Sequence, residues 1–596
     1  MIDGTTKNDQ HLGAIQNTVG ASSSSASGSC STTPSASSIS VGKRRIRPLP
    51  DVSLGNTSLG KRPRSTDYAG GESRAKPPLF RLISTPSDTR ESGTVSLRDV
   101  LSGEFTEALV SNYMIDMALL VEAQPRLASV SVVVVHGFRP STEDARFLED
   151  QCRNTSHSIK LHHPELPLFG THHAKMMVLK FALGVRVVIT TANFIERDVT
   201  GKSQGVWYQE FPLRESATCD FEDTLVDYLE RVGGPARTFG RTLRQYDFTV
   251  ARVALVLSVP GTKPKHKGRD LHKSGHMRVR ALLEREPGLP GSDDRDKVSC
   301  QFSSVSSLSG NPNQWLMELL TSFMSRKDAA GDWKITTRGH RGGGQGAATT
   351  APTTDAATIL KERLRLVWPT TEAVRTSSKG WASGGSIPCR TNDMFGGNFN
   401  RPDLRSFERN EPRPALKPLL RKWEGNPAVN RTTDAPHIKS YVRYRERGGG
   451  SGGKDKEGEA EVDGDEVAWF LLTSSNLSRS AWGFLDKTST QLLVRSFEIG
   501  VMFLPGLLGR EEQRSNKNGE HDDTFTCTPG DMGLTQRLPM SYSIEPGKGL
   551  PLDLLPIPYR FPAPRYNFAA GDKPWVWDRS YPKPDNFGTM WTGVGS

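Results

Sequence analysis

Cysteine is scarce in this chain, with six cysteines among 596 residues and no CxxC pair. The scarcity excludes a disulfide scaffold and a zinc site built from cysteines, and it suits a reducing compartment. Long hydrophobic runs are also missing, because an aliphatic run such as 132–135 is far shorter than the ~18 apolar residues of a membrane span. The N-terminus lacks the basic and then apolar pattern of a signal peptide. We therefore expect a soluble intracellular protein with no membrane partner.

Basic residues are in excess, with 77 Lys and Arg against 66 Asp and Glu and a formal net charge of +11. This balance favours an acidic partner, most commonly nucleic acid. Residues 1–78 are expected to be a disordered tail, because eleven of the twenty residues 21–40 are serine and show no helical or strand periodicity. Basic clusters at 43–47 and 61–64 are typical of a two-part nuclear import signal, which predicts a nuclear protein.

Beyond the tail, short β-branched runs alternate with helical patterns, which predicts an α/β fold of layered sheets and helices. Helical spacing is expected over 96–120, with Ser96 as the N-cap. The predicted strands are 130–135, 185–190, 250–259, 363–367, 467–473 and 497–503, and further predicted helices are 221–232 and 314–324. Polar or glycine-rich stretches at 342–358, 448–465 and 509–523 are expected to be loose insertions. The proline-rich residues after 551 are expected to form an irregular cover.

One pattern occurs twice and consists of a His-x-Lys pair, a predicted strand and an asparagine. Its residues are His173, Lys175 and Asn193 in the first copy, and His437, Lys439 and Asn476 in the second. The histidine and asparagine are 20 residues apart in the first copy and 39 in the second, mainly because of the insertion at 448–465. A repeated motif predicts two domains, placed at 79–260 and 261–596, with pseudo-two-fold symmetry and one site at their junction.

These residue types suit a phosphate. Extended residues two positions apart point to the same side, so each imidazole lies beside an ammonium group. Two facing copies would neutralise phosphate oxygens with lysines and donate hydrogen bonds from asparagines. One neutral histidine can attack while a protonated one assists the leaving group, since the unperturbed pKa is about 6.5. A single His-x-Lys pair arises often by chance, so the duplication carries the prediction. The lysine occupies the place of a second metal ligand, so no metal is predicted.

At these residues the sequence resembles the tyrosyl-DNA phosphodiesterase family of the phospholipase D superfamily. The resemblance covers roughly residues 90 to 596 and is carried by 169–177 (FGTHHAKMM), 203–207 (SQGVW), 301–305 (QFSSV), 374–377 (VRTS), 384–388 (GGSIP), 436–441 (PHIKSY), 473–478 (TSSNLS), 481–483 (AWG), 495–500 (RSFEIG) and 574–577 (PWVW). Most phospholipase D relatives carry an aspartate five residues after the motif lysine, where this chain has Lys180 and Tyr444. That absence is typical of the tyrosyl-DNA phosphodiesterases and disfavours lipid hydrolysis.

The resemblance implies two phospholipase D-like α/β domains, each a mixed sheet flanked by helices, in a monomeric DNA-repair enzyme without a cofactor. Such an enzyme hydrolyses the bond between a DNA 3′-phosphate and a tyrosine of a trapped topoisomerase, and other 3′ adducts, leaving a 3′-phosphate. His173 is implied as the nucleophile that forms a phosphohistidine, and His437 as the general acid and then base. A phenol, with a pKa of about 10, leaves more readily than a sugar alkoxide.

The resemblance also implies supporting roles. The groups expected to bind the phosphoryl oxygens are Lys175, Lys439, Asn193 and Asn476. Gln204 and Glu498 are expected to orient the histidines crosswise, Glu498 holding His173 and Gln204 holding His437. The alternative for these two residues is a purely structural role, in which each is buried and its side chain forms hydrogen bonds with the backbone.

Further positions are expected to contact the DNA substrate. Phe169 is predicted to stack on a base of a single strand. The residues at family positions that contact the DNA backbone are Ser304, Ser307, Ser478 and Arg479. Tyr113 resembles an aromatic residue of the family's DNA channel. Trp575 and Trp577 fit either the core or the substrate surface. His172 is expected to support its neighbour His173 and to face the opposite way.

Two other functions stay open at this point. One is a related phosphohydrolase that acts mainly on other 3′-end or RNA adducts. The other is a DNA-end binding protein with a decayed catalytic site, which the intact set of six motif residues disfavours. Turnover of a 3′-phosphotyrosyl oligonucleotide distinguishes them.

Overall fold

The structure is a computed structural model that describes residues 78–86, 88, 94–214, 218–261, 265–286, 289, 295–306, 308, 311–324, 355–396, 411–446, 466–508 and 550–593. All of them belong to a compact unit of residues 74–596. Ser307, both basic clusters of the tail and the insertions at 448–465 and 509–523 lie outside the described residues, as does most of the insertion at 342–358. The predictions made for them stay predictions.

The first half contains a seven-stranded sheet in the order β1-β8-β6-β5-β2-β3-β4. The strands of this half are β1 Arg81–Leu82, β2 Glu107–Asn112, β3 Ser131–His136, β4 Ile159–His162, β5 Met176–Phe181, β6 Gly184–Thr190, β7 Lys202–Ser203 and β8 Gly205–Pro212. The helices are α1 Leu97–Val100, α2 Met117–Ala123, α3 Glu143–Thr155, α4 Glu196–Val199, α5 Asp220–Val232 and α6 Gly234–Thr242. Strands β2, β3 and β4 are parallel to one another and β2 is antiparallel to β5, so the sheet is mixed.

The second half contains another seven-stranded sheet, in the order β14-β13-β11-β16-β17-β21-β9. The strands of this half are β9 Ala254–Ser258, β10 Lys265–Lys267, β11 Asp296–Gln301, β12 Val305–Ser306, β13 Leu364–Trp368, β14 Leu420–Lys422, β15 Ala435–Pro436, β16 Ser440–Arg445, β17 Glu466–Thr473, β18 Leu477–Ser478, β19 Phe484–Leu485, β20 Gln491–Leu493 and β21 Glu498–Phe503. The helices are α7 Gly275–Arg285, α8 Pro312–Met324, α9 Ala356–Arg363, α10 Thr371–Arg375, α11 Thr391–Phe395, α12 Arg479–Trp482 and α13 Pro505–Leu508.

The hydrophobic core lies on both faces of each sheet. In β3, Val132 and Val134 pack in one cluster with residues of α2 and α3, while Val133 and Val135 pack in another with α5 and α6. A strand covered on both faces is apolar at every position, which explains the unbroken valine run. The second cluster also contains residues of both sheets, such as Ile189 of β6 and Leu472 of β17. The predicted α/β class, mixed sheets flanked by helices, is confirmed.

The expected helix over 96–120 is wrong for most of its length. Ser96 does cap a helix, since its Oγ accepts a hydrogen bond from the backbone N–H of Asp99 at 3.1 Å, but that helix is only the four-residue α1. Strand β2 follows, pairs with β3 and β5, and buries its last five residues. Burial between two neighbouring strands overrides a weak helical periodicity.

The other predicted elements are present with shifted ends. The strand expected at 250–259 begins at residue 254 and, as β9, pairs antiparallel with β21 of the second sheet. The second sheet therefore takes its edge strand from before residue 260, and the division into domains at 260 stays a prediction. After Leu554 no helix or multi-residue strand occurs among the described residues, in keeping with an irregular cover.

Candidate active site

Backbone pairing between the two halves positions both histidines. The N–H of His173 donates to the carbonyl of Phe497 at 2.9 Å, and the N–H of Phe497 donates to Thr171 at 2.9 Å. In the same way, β15 pairs in parallel with β7, and the N–H groups of His437 and Ile438 donate to the carbonyl of Ser203. Each histidine thus lies beside the backbone that leads into the glutamine or glutamate of the opposite half.

A carboxylate faces the first histidine. Nδ1 of His173 lies 2.9 Å from Oε2 of Glu498, whose side chain is only 4% exposed. The same oxygen accepts a hydrogen bond from Oγ of Ser474 at 2.5 Å. A carboxylate can only accept here, so the proton of the neutral imidazole lies on Nδ1 and the Nε2 lone pair is free. This arrangement prepares His173 for nucleophilic attack.

A carboxamide faces the second histidine. Nε2 of Gln204 lies 2.9 Å from Nδ1 of His437 and also donates to the carbonyl of Asp198 at 3.1 Å. Thr191 fixes the amide by donating from Oγ1 to Oε1 of Gln204 at 2.8 Å, while its Oγ1 accepts from the N–H of Gly205. Oε1 of Gln204 also lies 3.2 Å from Nδ1, so the carboxamide can donate to Nδ1 of a neutral imidazole, whose proton is then on Nε2, or accept from Nδ1–H of a protonated one. The contacts are those expected crosswise, and the roles stay a proposal.

The motif lysines are buried and hold their histidines' backbone. Nζ of Lys175 donates to the carbonyl of His173 at 2.6 Å, and Nζ of Lys439 donates to the carbonyl of His437 at 2.5 Å. Burial lowers the pKa of Lys175 to about 7 against the opposing charges of Glu498 and Asp198. Burial and the neighbouring Lys175 hold the pKa of Lys439 well below its usual range. Such a concentration of buried cationic groups favours an anion between them.

The electrostatics join the two copies into one site. Burial is the main cause of the lowered pKa of His173, and both Lys175 and Lys439 lower it further, although Glu498 raises it. Burial likewise holds the pKa of His437 well below its usual value, and Lys439 and Lys175 again add to the effect. Each histidine therefore experiences the lysine of the other copy as well as its own.

The two asparagines have different partners. Nδ2 of Asn193 donates to Oδ2 of Asp198 at 2.7 Å, and Oδ1 of Asn193 is buried with no hydrogen-bond partner among the described residues. Oδ1 of Asn476 accepts from the backbone N–H of Ser303 at 3.1 Å, which leaves its amide protons for a ligand. Neither Asp198 nor Ser303 was identified from the sequence. Asp198 lacks a counterpart in the second copy, and Ser303 acts through its backbone.

Some of the residues expected to contact DNA lie close in the fold to the motif asparagine Asn476. Strand β12 pairs in parallel with β18, which brings the stretch after Ser304 against Ser478. Oγ of Ser478 caps α12 by accepting from the N–H of Ala481 at 3.2 Å. The guanidinium of Arg479 lies 3.6 Å from the Phe484 ring centroid, and Phe169 is 57% exposed.

The aromatic and histidine positions left open have clear surroundings. The ring of Tyr113 lies 5.4 Å from that of His173, and Nζ of Lys175 lies 5.6 Å from its centroid. Trp575 is fully buried and donates to the carbonyl of Ile387, so it belongs to the core, whereas Trp577 is partly buried. His172 is buried with Nε2 2.9 Å from Oγ of Ser111, away from Glu498.

Neither a metal cluster nor a membrane-spanning helix is found in the part of the chain that the structure describes. The donor set at the centre consists of histidines interleaved with lysine ammonium groups, which repel a cation.

Comparison with known proteins places the chain in a family. The family model for tyrosyl-DNA phosphodiesterase matches residues 79–567. Tyrosyl-DNA phosphodiesterase 1 of Arabidopsis thaliana is 33% identical over 548 residues, covering 86% of this chain and 76% of the relative. The Drosophila melanogaster protein of the same name is 27% identical over 560 residues, covering 87% and 83%. The crystal structure of the yeast tyrosyl-DNA phosphodiesterase shares the fold, with a TM-score of 0.52 and 17% identity over 84% of this chain and 99% of that one. The chain therefore belongs to the tyrosyl-DNA phosphodiesterase family, whose members are phosphodiesterase hydrolases.

Proposed function

We propose that this protein is a DNA-repair phosphodiesterase that hydrolyses the bond between a DNA 3′-phosphate and a tyrosine of a trapped topoisomerase. Its partners are then DNA 3′ ends and the attached peptide, and it acts as a monomer in the nucleus. The observation that carries the proposal is the difference between the groups at Nδ1 of the two histidines. A carboxylate oxygen faces His173, whereas both the nitrogen and the oxygen of an uncharged carboxamide face His437, at 2.9 and 3.2 Å.

In the first step, Nε2 of His173 attacks phosphorus and the bond from phosphorus to the tyrosyl oxygen breaks. The electron pair of that bond goes to the phenolic oxygen, which takes the Nε2 proton of the doubly protonated His437 and leaves that imidazole neutral. A phosphohistidine and a free tyrosyl peptide result. Positive charge develops on His173 during attack, and Glu498 stabilises it through Nδ1–H.

In the second step, neutral His437 accepts a proton from water as the water oxygen attacks phosphorus. The phosphorus–nitrogen bond breaks, its electron pair returns to Nε2 of His173, and the DNA is left with a 3′-phosphate. Lys175 and Lys439 neutralise the phosphoryl oxygens throughout. The amide protons of Asn193 and Asn476 bind the charge that increases at those oxygens in each transition state.

The experiment uses a 5′-labelled oligonucleotide ending in 3′-phosphotyrosine, incubated with the purified full chain in EDTA and separated on a denaturing gel. We expect conversion to the 3′-phosphate with the wild-type chain and none with His173→Ala. With His437→Ala we expect a protein–DNA adduct that persists, because the second step lacks its base. His276→Asn is a matched control, since His276 is also buried but contacts Ser322 and Glu318 instead.

The outcomes separate the competing functions. Binding of the oligonucleotide without turnover by the wild-type chain would refute the proposal in favour of a decayed DNA-end binding protein. Turnover of other 3′ adducts or RNA ends much faster than of the tyrosyl substrate would support the related phosphohydrolase instead. Loss of activity in EDTA would contradict hydrolysis without a metal.

A further inference from the structure

A buried carboxylate lies close to the second histidine. Oδ2 of Asp198, in α4, is 3.7 Å from Nε2 of His437, and the aspartate side chain is 1% exposed. The Lys202 ammonium binds Oδ1 of Asp198 and the hydroxyl of Ser386. Although burial opposes it, the charges of His437 and Lys202 hold the pKa of Asp198 below its usual value, so the carboxylate is ionised.

The corresponding helix of the second half carries no such carboxylate. Helix α4 begins three residues after Asn193, and α12 begins three residues after Asn476. The position in α12 that corresponds to Asp198 is occupied by Ala481, which is buried. The two halves thus share the motif residues and the short helix but differ in this charge, as they also do at Gln204 and Glu498.

Each histidine therefore has one carboxylate, at opposite ring nitrogens. Glu498 lies at Nδ1 of His173, which leaves Nε2 of His173 without a proton. Asp198 lies at Nε2 of His437, where it favours a proton on that nitrogen. Given the proposed function, on which this inference rests, we propose that Asp198 is a positioning residue that holds the proton of His437 at Nε2 and so makes His437 the general acid.

The distance suits such a role. At 3.7 Å the carboxylate is too far for a hydrogen bond but close enough to stabilise an imidazolium by charge. Nε2–H of His437 consequently stays available to the tyrosyl oxygen. Lys202 balances the aspartate, which limits repulsion of the substrate phosphate. Asp198 also accepts from Asn193, so one carboxylate orients a phosphate-binding amide and the acid together.

Several charged groups act on His437 from the elements around it. Lys439 lies 3.3 Å from Nδ1 and opposes protonation, as do Lys202 and Lys175 at longer range. Asp198 favours protonation, and Gln204 is uncharged. Removing the Asp198 charge should therefore lower the pKa of His437, and removing the Lys202 charge should raise it.

The test compares two substrates in single-turnover reactions of the full chain. One oligonucleotide ends in 3′-phosphotyrosine and the other in a 3′-(4-nitrophenyl) phosphate, whose phenolate is a much weaker base and leaves without a proton. For Asp198→Asn we expect about a 10- to 100-fold loss on the tyrosyl substrate, as for loss of general-acid assistance, and less than about a 3-fold loss on the nitrophenyl substrate. Asp296→Asn, which removes a buried carboxylate paired with Arg443, is the matched control.

The pH profile of the tyrosyl reaction gives a second readout. The rate requires protonated His437 and falls as the pH rises through its pKa. The descending limb should move to lower pH in Asp198→Asn and to higher pH in Lys202→Gln. Shifts of opposite sign are not expected if Asp198 and Lys202 only support folding. If Asp198→Asn does not fold, the shift of the descending limb in Lys202→Gln still tests whether this pair sets the pKa of His437.

Equal losses on both substrates, or descending limbs that do not move apart, would overturn this inference while the proposed function stands. A wild-type chain that turns over neither substrate would overturn both.

Discussion

The glutamate that faces the nucleophile provides the sharpest test of the site. In Glu498→Gln, the amide oxygen is expected to replace Oε2, because the Ser474 hydroxyl must donate there. The hydroxyl oxygen already accepts the N–H of Ile499 at 3.0 Å, and turning its proton away from position 498 would give up the hydrogen bond that it donates there. The amide oxygen then still accepts from Nδ1 of His173, so the variant removes the charge but keeps the tautomer.

The magnitude follows from the hydrogen bonds. A hydrogen bond to a charged group contributes about 1.5–3 kcal/mol and a neutral one about 0.5–1.5 kcal/mol, so the lost charge costs about 1–2 kcal/mol in the first transition state. At about 1.4 kcal/mol per factor of ten, the first step should slow about 5- to 30-fold. Single-turnover quenching of the 3′-phosphotyrosyl oligonucleotide measures this rate.

The Ser474 hydroxyl determines how the amide of glutamine is oriented at position 498. In the double variant Glu498→Gln, Ser474→Ala, nothing fixes the amide, and its N–H groups can turn toward Nδ1. The histidine would then carry its proton on Nε2, and the loss should reach about 10³- to 10⁴-fold, as when a triad carboxylate is replaced by an amide that imposes the wrong tautomer. Ser474→Ala alone should cost little, because a carboxylate cannot donate.

Two results would refute the reasoning. One is a wild-type rate for Glu498→Gln. The other is an effect of Ser474→Ala that is the same with glutamate and with glutamine at position 498, because Ser474 is expected to orient the amide of glutamine, so the two positions should be coupled. Glu222→Gln is the control, since Glu222, in α5, is a buried carboxylate paired with Arg214.

Three further predictions concern the charge, stability and DNA contacts of the protein. Because only protonated Lys175 attracts an anion and its pKa is about 7, inhibition by tungstate should weaken as the pH rises above about 7, and an affinity that does not change with pH would contradict this. Arg431→Met leaves its buried carboxylate partners uncompensated and should lower the free energy of unfolding by about 3–5 kcal/mol in denaturant titrations. The control Arg153→Ala, which breaks an exposed pair, should change the free energy of unfolding by less than about 1 kcal/mol. Phe169→Ala should weaken single-strand binding by about 1–3 kcal/mol in fluorescence anisotropy, and the equally exposed Phe147→Ala should not; equal effects would argue against stacking by Phe169.

The sequence predicts which residues lie together better than it predicts the local structure. The duplicated His-x-Lys pairs, each followed by a strand and an asparagine, are short-range patterns that survive burial unchanged, and Val185 to Thr190 lies within β6. The helix prediction for the segment that forms β2 was wrong because β2 is stabilised by neighbouring strands from elsewhere in the chain. Alternation is lost in a strand buried on both faces, so periodicity could not distinguish it from a helix.

The groups that differ between the halves were the hardest to find. A search for repeats favours residues present in both copies, and Asp198 is opposed by Ala481 in the second. Ser303 presents a backbone N–H to Asn476, which almost any residue type could supply. Thr191 and Ser474 occur at equivalent positions, but their role depends on which oxygen they fix, and only the contacts reveal that.

A symmetric site would not assign the two histidines different roles. Two histidines with the same neighbours could share one proton, but either could carry it, whereas the first step needs a neutral imidazole at one position and a protonated one at the other. The fold keeps the symmetric parts for the phosphate, which is bound alike from both sides, and breaks the symmetry at the histidines. Exchanging Gln204 and Glu498 would therefore not exchange the roles of the histidines. The Asp198 carboxylate would still lie near Nε2 of His437 and favour a proton there, whereas a nucleophilic histidine needs Nε2 without a proton.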